Sequence, residues 1–242
     1  MTQVSTQPQK MDVSSGFGHT QGIQCLARLD EVIITQKIKT VELLTGFEVR
    51  NRFVILDNRD QQLFRVEEES DACMRACCPI SRGLTLHITD NNAQEVMQIS
   101  REYKCCVGCC CFAGGCCMMT LLVDSPIGRR LGTVSSATAA CNAHMKVFDA
   151  SGNQLYKLWG SMCPCQCCCA GCMEDIDYPV TDPSLKTCVG NVAKQWVDIK
   201  TTKYCVSFPA NMSIEHKALL IGATFLTELY VMEQLKQQQG AQ

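Results

Sequence analysis

The sequence predicts a mainly β fold: a closed antiparallel β-barrel, built from duplicated hairpins, around a buried hydrophobic C-terminal helix. Three observations carry this. A hairpin pattern occurs three times, in which an aspartate is followed four residues later by Gln or Asn and then, two positions on, by an apolar residue: Asp57–Gln61–Leu63, Asp90–Gln94–Val96 and Asp149–Asn153–Leu155. A longer unit repeats as well. Asp90 and Asp149 lie 59 residues apart, Cys105 and Cys163 lie 58 apart, and Gly132 and Gly190 lie 58 apart, each pair in a matching context. Three features in constant order at a nearly constant offset mark a duplicated structural unit. Finally, one segment near the C-terminus is apolar all round and free of proline, unlike anything before it.

In chain order, residues 1–22 are polar and without periodicity, which predicts a flexible tail. Residues 23–235 then form a single domain, with 236–242 as a polar tail. Leu26 to Val41 reads as a short helix passing into a strand, and 42–49 (ELLTGFEV) as a segment turning at Gly46. Phe53–Val66, Leu84–Ile99 and Met145–Leu158 are the three hairpins, each with Asp and Asn at the turn, residue types that tolerate turn geometry. Asp57, Asp90 and Asp149 are expected at equivalent turns. Leu131–Val134 and Val189–Val192 are short apolar-Gly-x-Val strands, one per repeat. So many hairpins need their outer edges paired or covered, which favours closure into a barrel.

The helix is expected over 213–235, with Ser213 as its N-cap. Apolar residues surround it (Leu219, Leu220, Ala223, Phe225, Leu226, Leu229, Tyr230, Val231), so it is buried in protein or in lipid. A lipid span takes roughly 20 apolar residues. Here Lys217 and Glu228 bracket a shorter uncharged run, and Glu233 follows, which favours a core helix over a membrane span.

The chain has 242 residues, a net charge of −2 and only scattered basic pairs such as Arg129–Arg130, so no footprint for nucleic acid is present. Its 20 cysteines are concentrated in two runs, CCVGCCCFAGGCC from Cys105 to Cys117 and CPCQCCCAGC from Cys163 to Cys172. Adjacent cysteines diverge in direction and bridge one another poorly. The first residues also lack the apolar core of a signal peptide, so reduced thiols in a cytosolic setting are expected. Zinc would use separated pairs; unbroken triplets exceed what one tetrahedral ion takes, and there are only four histidines. Redox chemistry wants a lowered thiol pKa, and no basic residue lies inside either run. Cysteines among Phe112, Ala113, Gly114 and Gly115 suit thioester lipidation, and several acyl chains anchor firmly. S-acylation thus ranks ahead of metal, with buried structural thiols as the remaining reading.

No nucleophilic triad is signalled by His19, His87, His144 and His216, and Gly114–Gly115 is not a phosphate loop. His87 and His144 read as satisfied sheet residues, and Trp159 and Trp196 as core. Glu174, Asp175 and Asp177, the densest acids after the second run, read as a solvated turn.

Taken together, Leu44–Glu48 (LTGFE), Asp71–Pro79 (DACMRACCP), DNNAQEV, CCVGCCC, and Ser207–Phe208–Pro209 followed by Lys217–Ala218 and Ile221–Gly222–Ala223 resemble the phospholipid scramblases, from about Leu29 to Glu233. The resemblance implies a tubby-like barrel and calcium-stimulated, non-selective, ATP-independent movement of phospholipids between leaflets in both directions, with no covalent chemistry and hence no catalytic residues. It implies palmitate on Cys105, Cys106, Cys109, Cys110 and Cys111, with Cys116 and Cys117 as an extension, and a position at the cytoplasmic face of the plasma membrane. Membrane phospholipids are the expected partners, and an oligomer is compatible with this reading. The chain departs from the family in three places. Pro8 is the only proline before Pro79, where family members often carry a Pro-rich arm; the basic import stretch is reduced to Lys194; and the calcium segment between Trp196 and Pro209 keeps a single carboxylate, Asp198. Calcium takes six to eight oxygens, several usually anionic, so Asp198 is a degenerate ligand and binding is expected to be weak. The rival function is an acyl-anchored β-barrel that binds or scaffolds at the membrane face without transport; a third is zinc storage or thiol buffering.

Overall fold

The computed structural model describes residues 22–37, 50–105, 117–139, 142–161, 175–198 and 201–229. Twelve strands form one closed ring: β1 (Glu31–Lys37), β2 (Arg52–Leu56), β3 (Gln62–Ser70), β4 (Leu84–Thr89), β5 (Glu95–Arg101), β6 (Thr120–Asp124), β7 (Arg130–Ala139), β8 (Asn142–Asp149), β9 (Gln154–Ser161), β10 (Ile176–Thr181), β11 (Cys188–Asp198) and β12 (Thr201–Ser207). Each strand pairs antiparallel with its neighbours in sequence, and β1 pairs with β12 over Glu31↔Ser207 to Lys37↔Thr201, which leaves no edge. Two short helices lie outside the lumen, a 3-10 turn (Gln24–Arg28) and α1 (Ala72–Cys77), and α2 (Ile214–Thr227) threads it. This is the closed barrel around a C-terminal helix that the sequence predicts.

Because the strands run up and down in order, every even-to-odd connection falls at one end and every odd-to-even connection at the other. The first end is made of near-identical turns. At Asp57 the backbone N–H donates to the Gln61 carbonyl at 2.9 Å while the carboxylate accepts from the N–H groups of Arg59 and Gln61. Asp90 and Asp149 repeat this arrangement with Asn92 and Gln94, and with Ser151 and Asn153. The expected equivalence of the three aspartates therefore holds. Two more copies escaped the sequence pattern: Ser125 does the same work with its hydroxyl toward Arg129, and Asp182 spans one residue more, to Lys186 and Thr187. The residue that re-enters the strand has positive φ in each, at Asp60, Ala93, Gly128, Gly152 and Leu185, as a type I turn followed by a bulge requires.

The duplicated Gly-x-Val strands have a steric cause. A Cβ on Gly132 would lie 2.2 Å from the Phe148 carbonyl oxygen, and one on Gly190 would lie 2.4 Å from that of Ser207. In both repeats the next strand's backbone crosses where a side chain would be. The unit repeated is four strands, β4–β7 and then β8–β11.

Inward positions alternate along the strands, as in BiBiBi of β4. They meet a helix that is buried on all sides from Lys217 to Thr227. Phe225 packs edge-on against Phe53 with centroids 5.1 Å apart, and Gly222 lets the helix approach Val123. Ser213 caps the helix as expected, its Oγ accepting from the His216 N–H. Residues 230–242, which include the end of the expected helix, lie outside the described residues, as do 1–21, the Gly46 turn and the second cysteine run.

The short helix passing into a strand is present as expected, a 3-10 helix at Gln24–Arg28 followed by β1 at Glu31–Lys37. Three expectations change. The segment following Trp196, read as a loop, is the end of β11 and then β12, because Tyr204, Val206 and Phe208 alternate inward beside β1. Asp177 is a strand residue accepting from Asn191 Nδ2 rather than part of a turn. Trp159 is 45% exposed on the outer face, not core; nothing is described of the Trp196 side chain.

Gly132→Ala is expected to lower the unfolding free energy by about 3 kcal/mol, the upper end for overpacking. Gly152→Ala, at φ 84° with nothing within 4 Å of the new Cβ, loses about 1 kcal/mol through backbone strain alone. Urea unfolding followed by tryptophan fluorescence ranks the two.

Candidate functional site

The odd-to-even end collects the cysteines. The β3–β4 connection carries α1 with Cys73 and Cys77 exposed and Cys78 half-buried, the β5–β6 connection runs from exposed Cys105 to half-buried Cys117, and the β9–β10 connection holds the second run. Of the expected acylation sites, Cys105 and Cys117 are described and sit at the two roots of one excursion; Cys106, Cys109, Cys110, Cys111 and Cys116 lie outside the described residues. The roots are tied together, since Lys104 Nζ donates to the Met118 carbonyl at 3.0 Å and its N–H to that of Ser81. Asp198 closes β11, opposite Thr201 across a register shift, on the same end.

Cys73, Cys77 and Cys78, within DACMRACCP, lie outside the two cysteine runs on which the acylation expectation rests. The signal available was local: Asp71 caps α1, its Oδ1 accepting from the Met74 N–H at 2.9 Å, and Cys73 and Cys77 at i and i+4 share one face with Sγ atoms 3.9 Å apart. That contact and the neighbouring Asp71 push the Cys73 thiol up, and burial pushes up Cys25. Cys205 rises to about 12 through burial and its contact with Glu31. These thiols are held protonated, which is unfavourable for redox chemistry at them.

A buried polar layer fastens α1 to the barrel. Glu68, inward on β3, pairs with Arg82 at 3.0 Å, and both side chains are essentially inaccessible. Ser70 Oγ and Asn51 Nδ2 donate to the same carboxylate, Gln36 Nε2 donates to Asn51, and Arg82 Nη1 donates to the Pro79 carbonyl. Arg101 Nε then holds the Arg82 carbonyl at 2.9 Å. Burial would push the Glu68 carboxyl up, but Arg82 and the hydrogen bonds from Ser70 and Asn51 outweigh it and hold it below the ordinary range. Deeper in the lumen Tyr204 donates to Glu228 Oε2 at 2.8 Å, and burial with that carboxylate raises both Tyr178 and Tyr204.

The opposite end is closed by Lys217, wholly buried. Its Nζ donates to the carbonyls of Leu29 at 2.7 Å, Leu26 at 3.0 Å, Ala210 at 3.1 Å and Ala27 at 3.3 Å, and lies over the Phe208 ring. His87 is the satisfied sheet residue expected, held between Glu95 and Glu69. Among the described residues no group of three or more His, Cys, Asp or Glu is placed to hold a metal ion, and no helix is long and apolar enough to cross a membrane.

With this geometry in place, the comparisons with known proteins agree on one family. The family model described as Scramblase matches residues 11–234. Phospholipid scramblase 1 of Homo sapiens is 30% identical over 218 residues, covering 88% of this chain and 66% of that protein. Phospholipid scramblase 2 of Bos taurus is 28% identical, covering 88% and 71%, and Phospholipid scramblase family member 5 of Homo sapiens is 28% identical, covering 88% and 77%. The chain belongs to the scramblase family. It spans just under two thirds of the length of Phospholipid scramblase 1 from human and mouse.

Because the Glu68 carboxyl is held low in the fold, its contribution to stability is complete above the ordinary carboxylate pKa and is lost as pH falls through the lower, folded value. Glu68→Gln is expected to cost about 3–5 kcal/mol at neutral pH, since it leaves Arg82 buried without its charge partner. It also flattens the acid limb of the stability profile, measured by urea unfolding at stepped pH.

Proposed function

We propose that this chain exchanges phospholipids between the two leaflets of a membrane, in both directions and without ATP, from the cytoplasmic face of the plasma membrane, where acylated cysteines hold it. Family membership over residues 11–234 carries the reading. The placement of the thiols supports it. Both cysteine runs fall in connections at one end of the ring, with Cys25 and Cys188 as single thiols at the other, so acyl chains on Cys105 to Cys117 would set the first end against lipid and turn the aspartate-built end away. Two or more chains give stable anchoring where one does not.

The chemistry needs no covalent step and no bound nucleotide; lipid moves down its own gradient. The lumen offers no passage, because α2 fills it and is buried from Lys217 to Thr227. A headgroup path therefore runs over the outer wall. The filled lumen is also what favours the rival reading, an acyl-anchored barrel that docks other molecules without moving lipid.

Calcium fits this chain poorly. When bound it would supply positive charge to draw anionic headgroups, yet residues 201–207 are committed to ladders with β1 and β11, which occupies the backbone carbonyls a cation would use. Asp198 is left as the only carboxylate of that segment, beside Lys200 and Lys203. Such a site binds at best in about the millimolar range.

Two measurements test the proposal. In liposomes carrying headgroup-labelled lipid, the purified protein is expected to expose inner-leaflet label to an external quencher at a rate unchanged by micromolar calcium and by Asp198→Ala. Label that stays protected at every calcium concentration supports the docking module instead. In cells, replacing Cys105, Cys106, Cys109, Cys110 and Cys111 with Ala is expected to shift the protein from the membrane to the soluble fraction without altering its unfolding curve. Retention after an alkaline carbonate wash would rule out acyl anchoring as the main attachment.

A further inference from the structure

The outer wall carries a groove of about 400 Å³ across β7, β8 and β9, lined by Met118, Ala137, His144, Lys146, Lys157, Trp159 and Leu185. Its charge arrangement is unusual. Lys146 and Lys157 stand directly opposite one another in the β8–β9 register, a pairing that places their Cβ atoms about 5 Å apart and is destabilising for like charges. Among the described residues no carboxylate lines the groove. Lys157 Nζ donates to the Pro183 carbonyl at 2.6 Å, which fixes its position without neutralising it.

The next pair along the same two strands is His144 opposite Trp159, with ring centroids 6.4 Å apart. Burial first, then Lys146 and Lys157, push the His144 imidazole down, so at neutral pH it stays uncharged beside two ammonium groups. The far wall is Leu185, a branched side chain held at φ 60° and 53% exposed.

The groove is also polar in its long direction. β8 starts and β9 finishes at the cysteine end, so His144 and Trp159 lie nearer that end and the lysine pair lies about 7 Å further from it. Met118, next after Cys117, joins the apolar level. An occupant entering from the cysteine end meets an exposed indole and a thioether first and two cations beyond them.

We propose that this groove binds an anionic phospholipid, its phosphate between Lys146 and Lys157 and its glycerol and upper acyl chains against Trp159 and Met118, with Leu185 of the β10–β11 turn closing the groove beyond the lysines. The site rests on the phospholipid reading above and supplies it with a headgroup station on the outer wall. A lone phosphate satisfies the lysines but leaves Trp159 exposed; the order of levels along β8 and β9, apolar toward the cysteines and cationic away, is that of a lipid reaching up from a membrane to which that end is anchored.

The test uses the full-length protein with labelled histidine, its imidazole signals followed by NMR. Dihexanoyl phosphatidylserine below its micelle concentration is expected to bind saturably and to raise the His144 pKa, because a bound anion offsets the two lysines. Lys146→Gln with Lys157→Gln should weaken binding roughly tenfold or more while leaving the fold at least as stable, since the repulsion is removed. Lys146→Arg with Lys157→Arg should retain binding. Inorganic phosphate that saturates the site as tightly as the lipid, or a phosphopeptide that binds more tightly, overturns the lipid assignment; a His144 signal unmoved by all of them, or lipid binding indifferent to the lysines, overturns the site. In the liposome assay, saturable lipid binding without label exchange refutes scrambling and leaves the groove, whereas exchange that persists without any lipid response at His144 refutes the groove alone.

Discussion

A ring of twelve strands is wider than its own side chains can fill; about eight strands already give an interior that side chains just close. The lumen here must hold something about 10 Å across, and a helix with its side chains has that diameter. An isolated helix buried from Lys217 to Thr227 has in turn no aqueous face to present. Neither part is stable without the other. This mutual requirement explains why α2 carries small residues where it meets the wall, as Gly222 does at Val123, and why its one buried cation is surrounded by carbonyls at the rim.

The same closure gives the molecule two unlike ends. Connections at one end are five tight turns whose Asp or Ser side chains are consumed by their own backbones, leaving little reach for anything else. The other end has the longest connections, β3–β4, β5–β6 and β9–β10 among them, and there lie α1, the cysteine runs and the buried layer of Glu68, Arg82 and Arg101. The polar layer beneath it separates a wet or lipid-facing rim from the dry lumen and holds α1 in register while the thiols stay accessible.

The parts legible in sequence were those written locally. Asp57, Asp90 and Asp149 define their turns with residues two and four positions on, so a short pattern suffices; Ser125 and Asp182 perform the same act with a different side chain or one more residue, and were passed over. The helix announced itself by its unbroken apolar surface. β12 did not, because TTKYCVS alternates weakly and gains its partner, β1, from the far end of the chain. β10 was hidden by Pro179, which lies just before that strand begins to pair with β9. The Met145–Leu158 hairpin carries its own register, which sets Lys146 opposite Lys157, but nothing local says that Trp159 will lie on the outer wall rather than in the core.

The Lys217 cage joins residues 191 positions apart, from the last helix to the first turn of the domain. On the ribosome this has a consequence for timing. β1 emerges first but has no second partner until β12 is made, and the lumen stays empty until residue 227 has left the exit tunnel. Contacts of such separation form slowly, and an open, unfilled sheet is exposed to aggregation meanwhile. Synthesis must therefore finish before the barrel can exist, and anything that recognises the cysteine end meets either an unfolded nascent chain or a completed molecule, with no folded half-barrel between them.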